Sequence, residues 1–141
     1  MIILDTDCIS LLERDNTDAA RLRQRLAEEV SPLDAATTII TFEEQMRGWL
    51  AYIAKARTLE NQITAYAKLS RFLDNYRAIP VLPFDEVAAA EFRRLQALKI
   101  RVGAMDLKIA AITLAQNALL ITRNLSDFEQ VPHLRLADWT K

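Results

Sequence analysis

The sequence is poor in the residues on which several familiar kinds of active site depend. Only two of its 141 residues are glycine, Gly48 and Gly103. This excludes the glycine-rich loops that bring backbone close to nucleotide phosphates. There is one histidine, His133, and one cysteine, Cys8, so zinc centres and internal disulfides are excluded as well. We expect His133 to lie exposed in a turn and Cys8 to be a small buried residue, so any bound metal ion must be held by oxygen.

The chain also lacks a dominant charge and a long apolar run. Its 18 basic and 19 acidic side chains leave a net charge of -1. It therefore has no overall basic character of the kind typical of nucleic-acid-binding proteins, although a local basic surface remains compatible with this balance. No apolar stretch is long enough for a membrane span, and no basic leader precedes the first apolar stretch. With a single cysteine, these features predict a cytoplasmic protein.

Short apolar or β-branched segments alternate with helical patterns along the chain. Helical patterns cover 9–12, 19–27, 59–76 and 106–116, and further helices follow Thr41 and Asp85. We expect the 59–76 helix to pack its apolar stripe against the helix before it, the 106–116 helix to be buried, and Pro32 to interrupt the chain. The strands are predicted at 2–4, 37–40, 79–84, 118–122 and 134–136, with a loop at 123–133. This alternation predicts one α/β domain over 1–141, with a mainly parallel twisted central sheet of four to five strands between helices.

Four acidic residues occupy corresponding places in this predicted fold. Asp5 ends the first strand, and Glu43 falls in the first turn of the helix that Thr41 and Glu44 are expected to cap. Asp106 begins the buried helix, and Asp127 follows the strand at 118–122. Strand ends and helix N-termini of this kind gather at one edge of a parallel sheet, where such folds bind their ligands. We therefore expect the four carboxylates to share a pocket.

A buried group of carboxylates predicts a metal ion. Two unit charges about 4 Å apart repel by roughly 4 kcal/mol at an effective dielectric constant near 20. A hard divalent cation such as Mg²⁺ or Mn²⁺ relieves that repulsion, because all-oxygen sites suit these ions. The alternative is that Asp5, Asp106 and Glu43 only cap helices. A metal site of this composition favours phosphoryl chemistry, which needs no histidine as general base.

Several segments together resemble one known family. They are 2–7 (IILDTD), Glu43 with Gly48 a turn later, 103–111 (GAMDLKIAA) and 120–132 (LITRNLSDFEQVP). In this order and over nearly the whole chain they resemble the PIN domain, and more narrowly the VapC-type toxins of bacterial type II toxin–antitoxin systems. The resemblance implies a PIN-like three-layer α/β/α fold. It also implies a cytoplasmic endoribonuclease that depends on Mg²⁺ or Mn²⁺.

The resemblance further implies partners. VapC-type toxins cleave structured cellular RNA, such as transfer or ribosomal RNA, and arrest translation. A cognate antitoxin protein holds them inactive, and homodimers are usual. We expect the same partners here and no membrane, and part of the apolar surface of the 59–76 helix is expected to receive an antitoxin helix.

The resemblance assigns roles residue by residue. Asp5, Glu43 and Asp106 match the core metal-binding acids of the family. The fourth acid follows the Thr-Arg pair directly in some members, where this chain has Asn124, and three residues later in others, where it has Asp127. We expect Asp127 to complete the site, directly or through water, with Asn124 as a polar helper and Thr6 orienting Asp5 or a water.

Basic residues near these motifs are candidates for contacts with RNA phosphates. The alternative for each is a solvated or ion-paired surface side chain. Asp7 either adds charge near the pocket or points away from it. The candidates for phosphate contacts are Arg47, Lys99, Arg101 and Arg123.

Two alternatives to the nuclease remain at this point. Asp5-Thr6-Asp7 after an apolar strand is similar to the nucleophile motif of haloacid-dehalogenase-like phosphatases, although segment 103–106 matches their later motif poorly. The other alternative is a catalytically silent PIN-like scaffold or RNA-binding module. The presence of all four acids argues against it, and binding of a divalent metal would distinguish the two.

Overall fold

The computed structural model describes residues 1–31 and 34–141, and its centre is a five-stranded sheet. All neighbouring strands are parallel, in the spatial order β3-β2-β1-β4-β5. This confirms the predicted α/β class, and the break expected at Pro32 lies outside the described residues. The strands are β1 (Ile2–Leu4), β2 (Ala35–Thr38), β3 (Val81–Leu82), β4 (Leu119–Ile121) and β5 (Arg135–Ala137).

Seven helices connect the described strands. The six longer ones occur where helical patterns were predicted, and the short α7 lies inside the segment predicted to be a loop at 123–133. None of the helices in the described ranges is long and apolar enough to cross a bilayer. The helices are α1 (Thr6–Leu12), α2 (Thr17–Glu29), α3 (Ile39–Lys55), α4 (Leu59–Arg77), α5 (Glu86–Ala97), α6 (Ala104–Ala115) and α7 (Leu125–Phe128).

The central strands bury side chains on both faces of the sheet. Ile3 and Leu120, which are opposite each other in register, belong to one core with α5 and α6. Leu4 and Ile121 are likewise opposite each other and belong to a second core with α1 and α2. The alternation along each strand therefore gives a three-layer α/β/α arrangement. The apolar α6 is buried in the first core, as its sequence predicted.

The boundary between β2 and α3 differs from the prediction. The strand ends at Thr38, and Ile39 and Ile40 are already helical. Thr38, rather than Thr41, is the N-cap, because its hydroxyl oxygen accepts a hydrogen bond from the Thr41 backbone N–H at 3.1 Å. Ile40 is β-branched but lies buried under the sheet as part of the helix. Burial therefore outweighs its strand propensity here.

The apolar stripe predicted along α4 is divided between two surfaces. Phe72 is buried against α3, where its ring stacks on Phe42 at 5.4 Å between centroids. Four other large apolar side chains of α4 follow helical spacing but point to solvent, with exposed fractions from 51% to 68%. They are named the outer stripe here: Leu59, Ile63, Tyr66 and Leu73.

Candidate active site

Two of the predicted acids, Asp5 and Asp106, lie at the carboxyl edge of the sheet. Asp5 directly follows β1, and Thr122 directly follows the neighbouring strand β4. Asp106 lies in the first turn of α6, the helix that leads into β4. In open α/β folds this edge, at the point where the strand order reverses on either side of β1, is the usual position of a ligand site.

Asp5 is the most deeply placed of these carboxylates, with 5% of its surface exposed. One carboxylate oxygen accepts the Cys8 backbone N–H at 2.9 Å, so Asp5 is the N-cap of α1. The other accepts the Thr122 hydroxyl at 2.5 Å. Burial raises the pKa of Asp5, while these two hydrogen bonds act in the opposite direction. Asp5 is thus a helix cap and, through Thr122, also part of the sheet edge.

Asp106 is surrounded by other carboxylates. It does not cap α6, because Gly103 occupies the N-cap position. Burial raises its pKa, and the negative charges of Glu44, Asp5 and Asp127 raise it further. The other three acids are therefore close enough for their charges to act on Asp106, and Asp106 is the residue on which this repulsion converges.

Glu44, not Glu43, is the glutamate of α3 that faces this group. Glu43 points outward and forms an ion pair with Arg47, one turn along the helix. Glu44 instead accepts a hydrogen bond from the Thr6 hydroxyl at 2.7 Å, and it raises the pKa of Asp106. The expectation that Glu43 lies in the first turn and faces the pocket is not met, since both glutamates lie in the second turn.

A signal in the sequence could have distinguished the two glutamates. Glu44 lies three and four residues after Thr41 and Ile40, the buried side chains of α3, and so falls on their side of the helix. Glu43 lies three residues after the buried Ile40 but four after Ile39, which is exposed, so it falls toward the edge of that side. The signal depends on starting the helix at Ile39, and the predicted start at Thr41 concealed it.

Asn124 and Asp127 lie together just after β4. The Asn124 side-chain amide donates to an Asp127 carboxylate oxygen at 3.0 Å, and its backbone N–H donates to the Thr122 hydroxyl at 3.0 Å. Because the same hydroxyl donates to Asp5, a continuous chain of hydrogen bonds joins Asp5 to Asp127. The structure therefore brings both residues considered for the fourth position to the site, with Asn124 supporting Asp127.

The donor set suits a hard divalent cation. Its side chains are carboxylates, and burial followed by the negative charges of the neighbouring acids raises the pKa of Asp106. A hard cation with oxygen ligands would offset that negative charge. In the described part of the chain, no three acidic, histidine or cysteine side chains already form a metal-binding cluster. A cation would therefore have to draw the free oxygens of these carboxylates together, while Thr6 and Asn124 keep their hydrogen bonds to the other oxygen of Glu44 and of Asp127.

The basic candidates have different environments. Arg47 is paired with Glu43, and Arg123 is bound by Asp7 and Asp18. Lys99 and Arg101 are exposed in the loop that leads to α6, and within residues 1–31 and 34–141 neither forms an ion pair. Lys99 adopts a left-handed backbone conformation with φ of 54°. Of the four candidates, these two have the side chains that are free to meet an RNA phosphate.

The structure also shows the environments of three other residues. Cys8 and His133 are placed as expected from the sequence, and Asp7 takes one of its two open alternatives. Asp7 points away from the acids toward Arg123, whose hydrogen bonds lower the pKa of Asp7. Cys8 is fully buried, and burial raises the pKa of its thiol, which excludes an activated nucleophile. His133 is exposed in a turn.

A groove separate from the acids runs between α1, α3 and α4. It consists of two adjoining concavities of about 460 and 310 Å³, which share Glu13 and Trp49. The larger one has a mostly apolar floor that includes Leu12 and Phe72, with Lys68 and Arg71 at the sides. None of the site carboxylates lines either concavity. The molecule therefore has a second concave surface that differs chemically from the acidic edge.

These features define the class of protein. The PIN domain family model matches residues 2–134, and the chain belongs to that family. This assignment replaces the haloacid-dehalogenase-like interpretation of Asp5-Thr6-Asp7.

Individual relatives show which members of the family the chain resembles. The chain is 28% identical over 144 residues to Ribonuclease VapC1 of Haemophilus influenzae strain R2866, covering 99% of this chain and 98% of that protein. The chain is also similar to Ribonuclease VapC2 of Rickettsia felis over a shorter segment. This match is 42% identical over 40 residues and covers 28% of this chain and 30% of that protein.

Solved structures of similar proteins have the same fold as this chain. The structure of VapBC-1 from nontypeable Haemophilus influenzae has a TM-score of 0.70 and 26% identity, and the match covers 100% of both chains. It is one of several VapBC toxin–antitoxin structures that share this fold.

The repulsion at Asp106 leads to a prediction about stability. In EDTA at pH 7, Asp106→Asn should raise the melting temperature by about 2–4 °C, the shift that roughly 1 kcal/mol produces in a domain of this size. An acid whose pKa is raised on folding destabilises the fold once it is ionised. The advantage of Asn should therefore shrink as the pH falls toward 3.8, the ordinary value for aspartate.

The measurement is differential scanning calorimetry across this pH range, with Asp85→Asn as the control. Asp85 caps α5 with a hydrogen bond to the Ala88 N–H, so its substitution should lower the melting temperature or leave it unchanged. A lower melting temperature for Asp106→Asn at pH 7 would contradict the prediction.

Proposed function

We propose that this protein is a divalent-metal-dependent endoribonuclease and the toxin of a toxin–antitoxin pair. It would hydrolyse phosphodiester bonds in structured cellular RNA. The observation that carries the proposal is the convergence of Glu44, Asp5 and Asp127 on the half-buried Asp106. The repulsion among these groups has no benefit for the fold alone, but it creates a site for a cation.

The residues that would hold Mg²⁺ or Mn²⁺ are Asp5, Asp106, Glu44 and Asp127. Glu44 takes the place first given to Glu43, because Glu43 is paired with Arg47 on the surface. When bound, such an ion polarises an attacking water and neutralises charge on the phosphodiester.

The chain's own contribution is to orient these carboxylates. Thr122 fixes one oxygen of Asp5, and Thr6 fixes one oxygen of Glu44. The Asn124 amide does the same for Asp127. Each carboxylate keeps its second oxygen for another partner except Asp5, whose other oxygen caps α1. Such supporting hydrogen bonds orient the ligands of a metal and tune their basicity.

Lys99 and Arg101 are proposed to contact the RNA backbone. They lie in the loop immediately before the Asp106 helix, so a phosphate at the proposed cation site would lie close to them. Contacts of this type position nucleic acid without reading its sequence. The net charge of -1 is compatible with such local contacts.

The groove between α1, α3 and α4 is proposed to bind the antitoxin. Its apolar lining, with Lys68 and Arg71 as two cations against the one acid Glu13, fits an amphipathic segment with mainly acidic residues at its edges. The VapBC toxin–antitoxin structures with this fold support a protein partner of this kind.

The outer stripe of α4 is proposed to form a homodimer. Four large apolar side chains more than half exposed on one helix face are more than a monomer ordinarily leaves in water. Because a second copy presents the same stripe, a two-fold axis would cover both at once.

The ribonuclease proposal predicts different effects for the two adjacent glutamates. With Mg²⁺ or Mn²⁺, purified protein should make discrete cuts in total cellular RNA, and EDTA should prevent them. Glu44→Gln and Asp106→Asn should each lower the rate at least about 100-fold, the upper limit of what is lost when only a supporting group is removed. Glu43→Gln, the matched control, should stay within a few-fold of the unchanged protein.

Rates would be measured by primer extension across mapped cut sites, with Mn²⁺ affinity measured by calorimetry. A large effect of Glu43→Gln with little effect of Glu44→Gln would restore the first assignment. Binding of Mn²⁺ or RNA without any cleavage would favour the silent RNA-binding module.

The antitoxin proposal predicts that the groove depends on Trp49, which lines both concavities. Trp49→Ala should weaken binding of the cognate antitoxin by at least about 30-fold, as expected for a central aromatic residue at an interface. Leu59→Ala, which is 68% exposed and lies outside the groove, is the control and should bind normally. Calorimetric titration with folded variants tests this, and equal affinities would place the antitoxin elsewhere.

The dimer proposal predicts that Ile63→Asp shifts the protein to monomer. Ile63 is 64% exposed, so a charge there should cost the fold little but would be desolvated in the interface. The measurement is light scattering coupled to size exclusion over a concentration series. Ala20→Asp, on an exposed position of α2, should remain dimeric. A dimer that withstands Ile63→Asp would place the interface on another surface.

A further inference from the structure

Arg123 lies between two residues of the proposed site, yet its side chain points away from it. It donates to both carboxylate oxygens of Asp7, from Nε at 2.6 Å and from Nη2 at 2.8 Å. Its remaining terminal nitrogen, Nη1, donates to Asp18 at 3.1 Å. These contacts join the segment after β4 to α1 and α2 at once, and the three residues are named the Arg123 clamp here.

The clamp differs from the other ion pairs of the described residues. Those pairs join residues three or four positions apart on one helix, as Arg94 and Glu91 do on α5. Arg123 instead reaches 116 residues back to Asp7 and 105 back to Asp18. Bidentate pairing also sets the orientation of both groups, which a single charge contact does not. The clamp is therefore suited to fixing one part of the chain relative to another.

The segment that the clamp holds is the one that supports the acids. Immediately before Arg123, the Thr122 hydroxyl donates to Asp5 and accepts the Asn124 backbone N–H. Immediately after it, the Asn124 side chain donates to Asp127. Movement of Arg123 by even a small amount would misalign both neighbours, since each is joined to it by one peptide bond.

We propose that Arg123 is a positioning residue, which Asp7 and Asp18 hold so that Thr122 and Asn124 meet Asp5 and Asp127. The proposal rests on the ribonuclease function proposed above, but it replaces the RNA-phosphate contact that the sequence suggested for Arg123. In this structure all three guanidinium nitrogens donate to carboxylates, which takes three of the five N–H groups and matches the positive charge with Asp7 and Asp18.

The first test uses metal-free protein without RNA. Amide hydrogen exchange should show that Arg123→Gln lowers the protection of the Asn124 N–H about tenfold or more, because the segment opens locally. Asp7→Asn should act in the same direction, and Arg123→Lys should fall between, since lysine keeps the charge but not the bidentate geometry. Arg94→Gln, which breaks a pair within α5, is the matched control and should leave Asn124 unaffected.

The second test measures Mn²⁺ affinity by calorimetry. Arg123→Gln and Asp7→Asn should each weaken it about 10-fold, within the range for residues that support metal ligands. RNA binding in EDTA should change less than about twofold, since no phosphate contact is lost. In cleavage assays the variants should lower kcat at saturating RNA and leave KM nearly unchanged.

A phosphate contact predicts the opposite pattern. Arg123→Gln would then weaken RNA binding in EDTA and lower its salt dependence by about one unit of slope, with Mn²⁺ affinity unchanged. Asp7→Asn and Asp18→Asn would strengthen RNA binding by freeing the arginine. Either result would overturn the positioning role, as would unchanged Asn124 protection in Arg123→Gln.

The outcomes also separate this proposal from the ribonuclease. If the unchanged protein binds Mn²⁺ but cuts no RNA, the proposed function fails, while exchange and Mn²⁺ affinity still decide the role of Arg123. If the protein binds no Mn²⁺, both the proposed function and the positioning of acids for a metal are overturned. If Arg123→Gln does not fold, Asp7→Asn and Arg123→Lys supply the same comparison.

Discussion

The crowding of negative charge at the carboxyl edge of the sheet is the constraint around which this structure is arranged. Asp5 is nearly inaccessible, and Asp106 faces three other carboxylates. Ionised groups in such a place are tolerated only where hydrogen bonds or a counter-ion compensate them. The donors are Thr122 and the Cys8 amide for Asp5, and Thr6 for Glu44. Each comes from an element that the topology brings to the same edge, so the parallel sheet and the site depend on one another.

Much of the fold could be predicted because its signals are local and strong. The strands β1 and β4 are buried on both faces and appear as continuous apolar runs, and α6 is apolar on nearly all sides. Asp5 and Asp106 could be singled out as candidates because each stands at the end of such a run. What the sequence could not provide was the rotation of α3. One residue changes direction by about 100° around a helix, so starting α3 at Thr41 instead of Ile39 removed the evidence that distinguishes Glu44 from Glu43.

The same limit explains the outer stripe of α4. Hydrophobic spacing identifies which side chains share a helix face, but it does not say what covers that face. Phe72 meets α3 and is buried, whereas Ile63 has no such neighbour and remains exposed. An apolar stripe that is wider than the area covered by one neighbouring helix thus indicates a second surface for association. The sequence alone could not distinguish the buried part of the stripe from the exposed part, because that depends on where α3 lies.

The environment of Arg123 shows that the position of a residue within a motif does not by itself determine its role. Its place between Thr122 and Asn124 suggested a phosphate contact, since it adjoins the acids in sequence. The partners that determine its direction, Asp7 and Asp18, are more than 100 residues away in sequence and lie on α1 and α2. Asp7 is itself only two residues from Asp5, so one carboxylate of that short segment enters the site while the next binds the arginine outside it. The negative charge of segment 5–7 is thereby divided: Asp5 remains for a cation, and Asp7 is neutralised by a side chain. This division keeps a further carboxylate from adding its full charge to a site where Asp106 already faces three.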